Sequence, residues 1–265
     1  MEEKYYITEV DKYPATIYCH HGPMGEATIP THQHDKGQFL YTEGGIVFVK
    51  TNNTTHYLPA RHYLWIPPNI SHSIHPSSEN VIMRNVYFPI EADDDIFYRE
   101  LAVYPVNDLI MQLIVFSEKW KGNIQIDEEA FTIALAFKYI IKQSASIKLP
   151  LALPYPKEER LQQVVQYLND NVHMKILLPE VAAKFNISIR SLTRLFSKHL
   201  KMSFIEYLTI LRMLKALELL IETNKSVAEI SLTVGYNSVP TFSNIFQKMI
   251  GVRPVSYRLM HTVLH

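Results

Sequence analysis

Residues 226–258, SVAEISLTVGYNSVPTFSNIFQKMIGVRPVSYR, constrain this chain more than any other stretch. Val227, Ile230 and Val234 form the apolar stripe of a short helix. Gly235-Tyr236-Asn237 marks a turn, and Phe242, Ile245, Phe246 and Met249 share one face of a second helix. Gly235 suits the left-handed conformation that ends a helix, and Ser238 suits the cap of the next one. The second helix leaves Val239, Thr241, Ser243, Asn244 and Lys248 off its apolar face. Two short helices at a steep angle, the second exposed, have the shape that a DNA major groove admits.

The pattern occurs twice. Leu192, Phe196 and Lys198 stand 50 residues ahead of Phe242, Phe246 and Lys248. Glu180-Val181-Ala182 parallels Glu229-Ile230-Ser231, and Asn186-Ile187-Ser188 parallels Gly235-Tyr236-Asn237-Ser238 with one residue gained. This weak internal repeat gives two helix-turn-helix units, 178–199 and 226–249. Asn186 stands where the second turn has Gly, and Asn tolerates the left-handed region better than other residues with a side chain. Between the units, 203–222 consists of helix formers; about 18 residues at a rise of 1.5 Å span about 27 Å. Adjacent major grooves on one DNA face lie about 34 Å apart, so such a helix can offer two recognition helices to neighbouring grooves.

Base reading falls to the exposed faces of those helices. The first offers Arg190, Ser191, Thr193, Arg194 and Lys198; the second offers Ser238, Val239, Thr241, Asn244 and Lys248. Arg190 or Arg194 suits bidentate contact with guanine, Asn244 suits adenine, and Val239 and Thr241 suit a thymine methyl. Lys198 and Lys248 suit phosphate, which positions without specifying.

Ala228, Gly235-Tyr236, Ser238, Phe242, Phe246, Lys248, Gly251, Pro254 and Tyr257-Arg258 together resemble the C-terminal signature of the AraC/XylS family of bacterial transcription regulators. Arg212, Ala216, Leu219 and Leu220 match that family's linker helix, where Arg212 reads as structural. Lys201-Met202 departs from the family's frequent Gly after the first recognition helix.

Charge divides the chain in the same way. The net charge of zero hides 12 Lys+Arg against 18 Asp+Glu in residues 1–150 and 14 against 8 in residues 151–265. A basic second half, alone, fits a polyanion. A single cysteine, Cys19, excludes an internal disulfide and fits a reducing cytosol. The N-terminus lacks a signal peptide's apolar run, and no apolar stretch is long enough to span a membrane, so a cytoplasmic protein is expected. Neither a catalytic triad nor a glycine-rich phosphate loop is present.

The first half reads as an antiparallel sandwich or barrel. Candidate strands are 38–42, 46–49, 55–58, 62–66, 72–75 and 81–88, separated by turn residues. His32-Gln33-His34, Gln38 and Pro67-Pro68-Asn69-Ile70-Ser71-His72 resemble the two motifs of the cupin fold, with Gln38 for the usual Glu and Asn69 for the usual Gly. Alternate residues of a strand share a face, so His32 and His34 can point into one cavity. The resemblance makes His32, His34, Gln38 and His72 candidate ligands of a divalent transition metal, and otherwise the lining of an effector pocket. Trp65, Tyr41, Arg84 and Tyr87 are candidate walls of that pocket.

After the acidic run 91–95, expected to cap a helix, two apolar helices are expected at 106–120 and 127–143. Leu109, Leu113 and Phe116 align in the first, and Phe131, Leu135, Tyr139 and Lys142 in the second. Both carry more apolar residues than one stripe needs, so the pair either lies deep in its own domain or meets another subunit; the resemblance, to regulators that often dimerise through helices in this position, implies a homodimer. The proline-bearing stretch 146–156 reads as a linker between a cupin-like sensing and dimerising domain, 1–145, and a DNA-binding domain, 157–265.

The expected architecture is therefore α+β in two domains: an N-terminal antiparallel β-barrel with helices, then an all-α domain with two helix-turn-helix motifs. The expected function is a transcription regulator that binds double-stranded DNA under control of a small-molecule effector, with RNA polymerase as a further partner. The alternative is a cupin-type metal-dependent enzyme, a dioxygenase or isomerase, with a helical appendage.

Overall fold

A computed structural model describes residues 7–25, 27–77, 79–145 and 148–262. Residues 1–6, Ser146 and Ile147, on which the expectations for the N-terminus and linker partly rest, lie outside them. The chain separates into two compact units: Met1–Asn52 with Leu58–Leu149, and Asn53–Tyr57 with Pro150–His265.

The first unit opens with α1 (Ile7–Val10), β1 (Ile17–Pro23), β2 (Ile29–His32), β3 (Gly37–Glu43) and β4 (Val47–Thr51). Beyond β5 (Thr54–Leu58), which lies mostly in the second unit, come β6 (His62–Ile66), β7 (His72–Pro76), β8 (Ile82–Phe88) and β9 (Ala102–Pro105). Then follow α2 (Asp108–Ser117), β10 (Gly122–Ile124) and α3 (Glu129–Ser144). One antiparallel sheet runs β10-β1-β8-β3-β6-β9, and β4 and β2 flank β7 in a second. The sheets are antiparallel, as expected, but they do not close into a barrel.

Period-two alternation gives the larger sheet two different faces. Phe39, Tyr41, Tyr63, Trp65, Val86 and Phe88 form one core with Ile110 and Ile114 of α2 and Ala134, Phe137 and Ile141 of α3. The polar tips of its aromatics are paired. Tyr63 Oη donates to Ile141 O (3.0 Å), Tyr98 Oη to Lys138 O (2.8 Å) and Trp65 Nε1 to Tyr98 O (3.0 Å). The opposite face carries Gln38, Leu40, Leu64, Asn85 and Tyr87, all buried.

Three sequence expectations are corrected here. The stripes assigned to α2 and α3 are not the inward ones: Leu109, Phe116 and Tyr139 are 54%, 40% and 49% exposed, while Ile110, Ile114, Ala134, Phe137 and Ile141 are fully buried. Asp93-Asp94-Asp95 precedes only a single 3-10 turn, Ile96–Arg99, capped by Asp95. Asp94 instead holds the buried Lys138 ammonium at 2.6 Å, and Lys142 pairs with Asp95 at 2.8 Å. Trp65 lies on the helix-facing side of β6, opposite Phe39 in register and packed on Tyr98, so it is not a wall of the histidine cluster. Tyr41 shares that face, and Arg84 is occupied by Glu43 and Glu118.

In the second unit, β11 (Ala152–Pro154) pairs antiparallel with β5. Helices α4 (Glu159–Asp170), α5 (Leu178–Lys184) and α6 (Ile189–Leu195) follow, and a π-helical turn, Phe196–Leu200, extends α6. Then come α7 (Phe204–Glu222), α8 (Val227–Thr233), α9 (Val239–Ile250) and α10 (Pro254–Thr262). Ser203–Glu206 and Ser226–Glu229 form capping boxes at α7 and α8, each satisfying two end amides. Phe196 packs against Phe204 and Tyr207, and Phe246 against Phe242 and Tyr257. None of the described helices is long and apolar enough to cross a membrane.

The corrected faces of α2 make a direct test. Ile110→Ala is expected to lower the unfolding free energy by about 2–4 kcal/mol, and Leu109→Ala by less than about 0.5 kcal/mol, in urea unfolding of the full chain. Equal costs would return Leu109 to the core.

Candidate nucleic-acid interface and histidine cluster

Both helix-turn-helix turns depend on a left-handed residue. Asn186 has φ 51° and Gly235 φ 80°, as the sequence implies for each. A Cβ on Gly235 would lie 2.6 Å from Arg212 Nη2 and 2.8 Å from Val172 O, so this position needs glycine for space as well as for φ. Arg212 is structural: Nη2 donates to Met174 O at 2.8 Å and the guanidinium lies 5.3 Å from the Tyr236 ring centroid. At the first turn Arg160 of α4 plays the related part, donating to Phe185 O and Asn186 O, both at 3.2 Å.

Helices α6 and α9 bury Leu192, Phe242, Phe246 and Met249 inward. Of the candidate DNA contacts, Arg190, Thr193, Arg194, Lys198, Ser238, Val239, Thr241, Asn244 and Lys248 are exposed, and Ser191 is half-buried. All four candidate hydroxyls are engaged within the protein: Thr193 Oγ1 donates to Ile189 O and Thr241 Oγ1 to Ser238 Oγ, both at 3.0 Å, and the two serines sit at caps. Ser238 Oγ accepts from Thr241 N at 3.4 Å, and Ser188 Oγ accepts from Ser191 N at 3.1 Å and donates to Ser191 Oγ. Lys198 lies in the π-helical turn whereas Lys248 lies in a regular α-helix, so the repeat is not exact at these two lysines.

In the first unit, His32 on β2 is the register partner of His72 on β7, and their ring centroids stand 4.3 Å apart. His34, two residues on, brings its ring to 5.2 Å from His72 and 5.9 Å from His32. The ligating atoms of the three histidines all lie within 4.8 Å of one another. Asn69, at the Gly position of the motif, takes φ 62°, and its N–H donates to His34 O at 2.8 Å, which ties the two motif segments together.

The tautomers follow from the backbone. Nδ1 of His32, His34 and His72 lies 2.8, 2.6 and 2.7 Å from the carbonyls of Pro30, Lys36 and Ile70. A carbonyl only accepts, so each Nδ1 carries the proton and each Nε2 presents a lone pair. Nε2 of His32 and of His72 are buried without a hydrogen-bond partner. Burial pushes all three imidazoles below the usual histidine value, His72 to about 3.

Gln38 joins the cluster through His34. Its Oε1 lies 3.0 Å from His34 Nε2, and its amide nitrogen donates to Asn85 Oδ1 at 2.7 Å. A neutral His34 cannot donate from both ring nitrogens. With both amides turned over, Gln38 donates to His34 Nε2 and Asn85 donates to Gln38, which also pairs the Asn85 nitrogen that otherwise lies buried and unpartnered. Gln38 is thus tied to His34 and is not a fourth open ligand beside the histidines. Asn85 was missed in the sequence, although it shares a face of β8 with Tyr87, whose ring lies 5.0 Å from that of His34. A separate cavity of about 680 Å³ lies between the acidic loop and α3, lined by Asp94, Tyr98, Phe131, Leu135 and Lys138 among others.

Two further, half-buried histidines set a pH dependence. His21 and His56 are pushed down to about 4, by burial above all. Their unfolded values lie above their folded ones, so the stability they contribute is complete above about pH 6.5 and is lost as pH falls toward 4. The thermal midpoint is expected to drop across that window in circular dichroism, and to drop less in His21→Gln; an identical pH profile in the variant would remove His21 from the account.

Residues 14–132 match a profile described as an AraC-like ligand binding domain, and residues 181–260 match one described as a helix-turn-helix domain. The chain is 23% identical over 270 residues to the HTH-type transcriptional activator RhaR of Mannheimia succiniciproducens, covering 96% of this chain and 94% of the relative. It is 24% identical over 247 residues to the HTH-type transcriptional regulator NimR of Escherichia coli, covering 92% and 87%. Among solved structures, the C-terminal domain of AraT, a response regulator from Geobacillus stearothermophilus, matches 39% of this chain and 86% of its own length at 36% identity and a TM-score of 0.38. With both domain profiles in sequence along the chain and two relatives matched nearly end to end, this protein belongs to the AraC-type transcription regulators, a ligand-binding domain followed by a DNA-binding helix-turn-helix domain.

Proposed function

We propose that the effector binds among His32, His34, Gln38 and His72 and that α6 and α9 read adjacent major grooves of double-stranded DNA. On this reading residues 1–145 sense the effector and dimerise, 146–156 link, and 157–265 bind DNA. The protein is a cytoplasmic homodimer that acts on RNA polymerase, and it is not an enzyme. The exposed apolar side chains of α2 and α3, including Leu109, Phe116, Ile133 and Tyr139, support the dimer.

The unpartnered Nε2 atoms of His32 and His72 carry the effector reading. A buried acceptor without a partner costs about 1–3 kcal/mol, which a bound donor or cation removes. The donor set also fits a divalent transition ion: each Nδ1 is fixed by a carbonyl, the arrangement that orients imidazole ligands, and three lone pairs converge. His32, His34 and His72 would hold it, and it would supply a Lewis-acidic anchor for an effector oxygen. His34 must first exchange its bond with Gln38, and Gln38 brings no negative charge, so the affinity is expected to be modest. Zinc added to the metal-free chain should raise the thermal midpoint with uptake of about one equivalent, and His72→Ala should abolish both. Zinc that neither binds nor stabilises the intact chain leaves the cluster to organic effectors alone.

DNA recognition is tested on the exposed faces. Arg194→Ala is expected to weaken binding to a promoter site by about 1–3 kcal/mol and to relax its sequence preference, measured by gel shift against point-substituted sites. Unchanged affinity and preference would take base reading away from Arg194.

A further inference from the structure

Lys201 ends the first recognition helix in the left-handed conformation, with φ 56° and ψ 25°. The equivalent position 50 residues later is Gly251, which ends α9 at φ 88°. Both readers therefore leave the recognition helix by the same turn, but only the second uses the residue without a Cβ. A left-handed backbone disfavours a side chain, and least so for Asn; among the described non-glycine residues Asn69 and Asn186 adopt it, and besides Lys201 only Arg61 does so without being Asn. Lys201 is exposed and makes no hydrogen bond or ion pair among the described residues. No hydrogen bond or ion pair among the described residues therefore explains why a lysine stands in this conformation.

The surroundings give it a task. Arg190, Arg194, Lys198 and Lys201 form a basic series with no acidic residue between 189 and 201, and all four are exposed. The second reader has only Lys248 over 239–251. Backbone strain retained at an exposed, functional edge is a mark of a binding contact. We infer that Lys201 contacts a DNA phosphate at the end of the first recognition helix, a contact the second reader lacks. The inference rests on the DNA-binding role of α6. The competing account is that Lys201 only complements the negative end of the helix it terminates.

Salt dependence separates the two. The full chain is titrated against a mixed-sequence duplex of about 30 base pairs over a salt series from about 50 to 200 mM, where each phosphate contact adds about 0.9 to the slope of log K on log salt. Lys201→Asn and Lys201→Gly are expected to flatten that slope by about 1 for each DNA-bound protomer and to weaken binding several-fold whatever the sequence, with thermal midpoints equal to or above that of the unsubstituted chain. Lys201→Arg should restore slope and affinity. An Asn variant with unchanged slope and affinity overturns the inference, and a lowered midpoint beside that result assigns Lys201 to the helix end. If the unsubstituted chain shows no salt-dependent binding, the DNA-binding role of α6 fails first and the inference with it.

Discussion

The alternation of side chains across the sheet β10-β1-β8-β3-β6-β9 governs the first unit. One parity on β3, β6 and β8 builds the aromatic core under α2 and α3; the other delivers Gln38, Asn85 and Tyr87 to the histidines of β2 and β7. A slip of one residue would exchange the two sets, placing Phe39 and Trp65 among imidazoles and Gln38 under the helices. The registers Phe39↔Trp65 and Phe39↔Val86 hold the division. The apolar face thus fixes the polar one. The cluster can afford unpartnered nitrogens because the opposite side of the same strands carries a dense core.

Which parts of this were legible in the sequence follows from how local each signal is. The helix-turn-helix units were, because helical spacing, Asn186 or Gly235, and the capping serines Ser188 and Ser238 all act within a few residues. The meeting of His32, His34 and His72 was legible from the motif spacing. The inward faces of α2 and α3 were not. Leu109 and Ile110, like Leu113 and Ile114, are adjacent apolar residues, so helical periodicity fits two stripes about 100° apart equally well. Only the sheet chooses between them. Trp65 failed for the same reason, since every residue of β6 is buried and neither parity announces its face. The orphaned Nε2 atoms depend on which ring nitrogen meets a carbonyl, a matter of ångströms that no spacing of residues encodes.

Gln38 shows how a single changed atom redirects a site. A carboxylate there would bring charge to a cation and could not donate to His34 Nε2; the neutral amide brings no charge but can donate. Gln38 can satisfy His34 only by turning its nitrogen toward the ring, and its oxygen is then free to accept from Asn85. The chain of amides makes His34 less available than His32 and His72, whose nitrogens stay unpaired. The cluster is therefore asymmetric: two open acceptors and one occupied. A ligand that engages the two alone leaves the Gln38–His34 hydrogen bond intact, whereas one that also takes His34 must break it.

The two readers of the second unit reach one geometry by different means. Each turn is held by an arginine from a neighbouring helix, Arg160 of α4 for the first and Arg212 of α7 for the second. Arg212 has a buried Nε, stacks near Tyr236 and comes so close that Gly235 admits no Cβ. Arg160 is exposed and reaches the first turn by two 3.2 Å bonds to carbonyls, which water can replace. The second turn is thus held by a close-packed arginine, and the first by hydrogen bonds to an exposed one beside the edge-on contact of Phe185 with Tyr167. The basic residues lie the other way round: Arg190, Arg194 and Lys198 stand on the first recognition helix and Lys248 alone on the second. If Val239, Thr241 and Asn244 meet base edges as proposed, the apolar and amide contacts would fall on the helix that follows the close-packed turn.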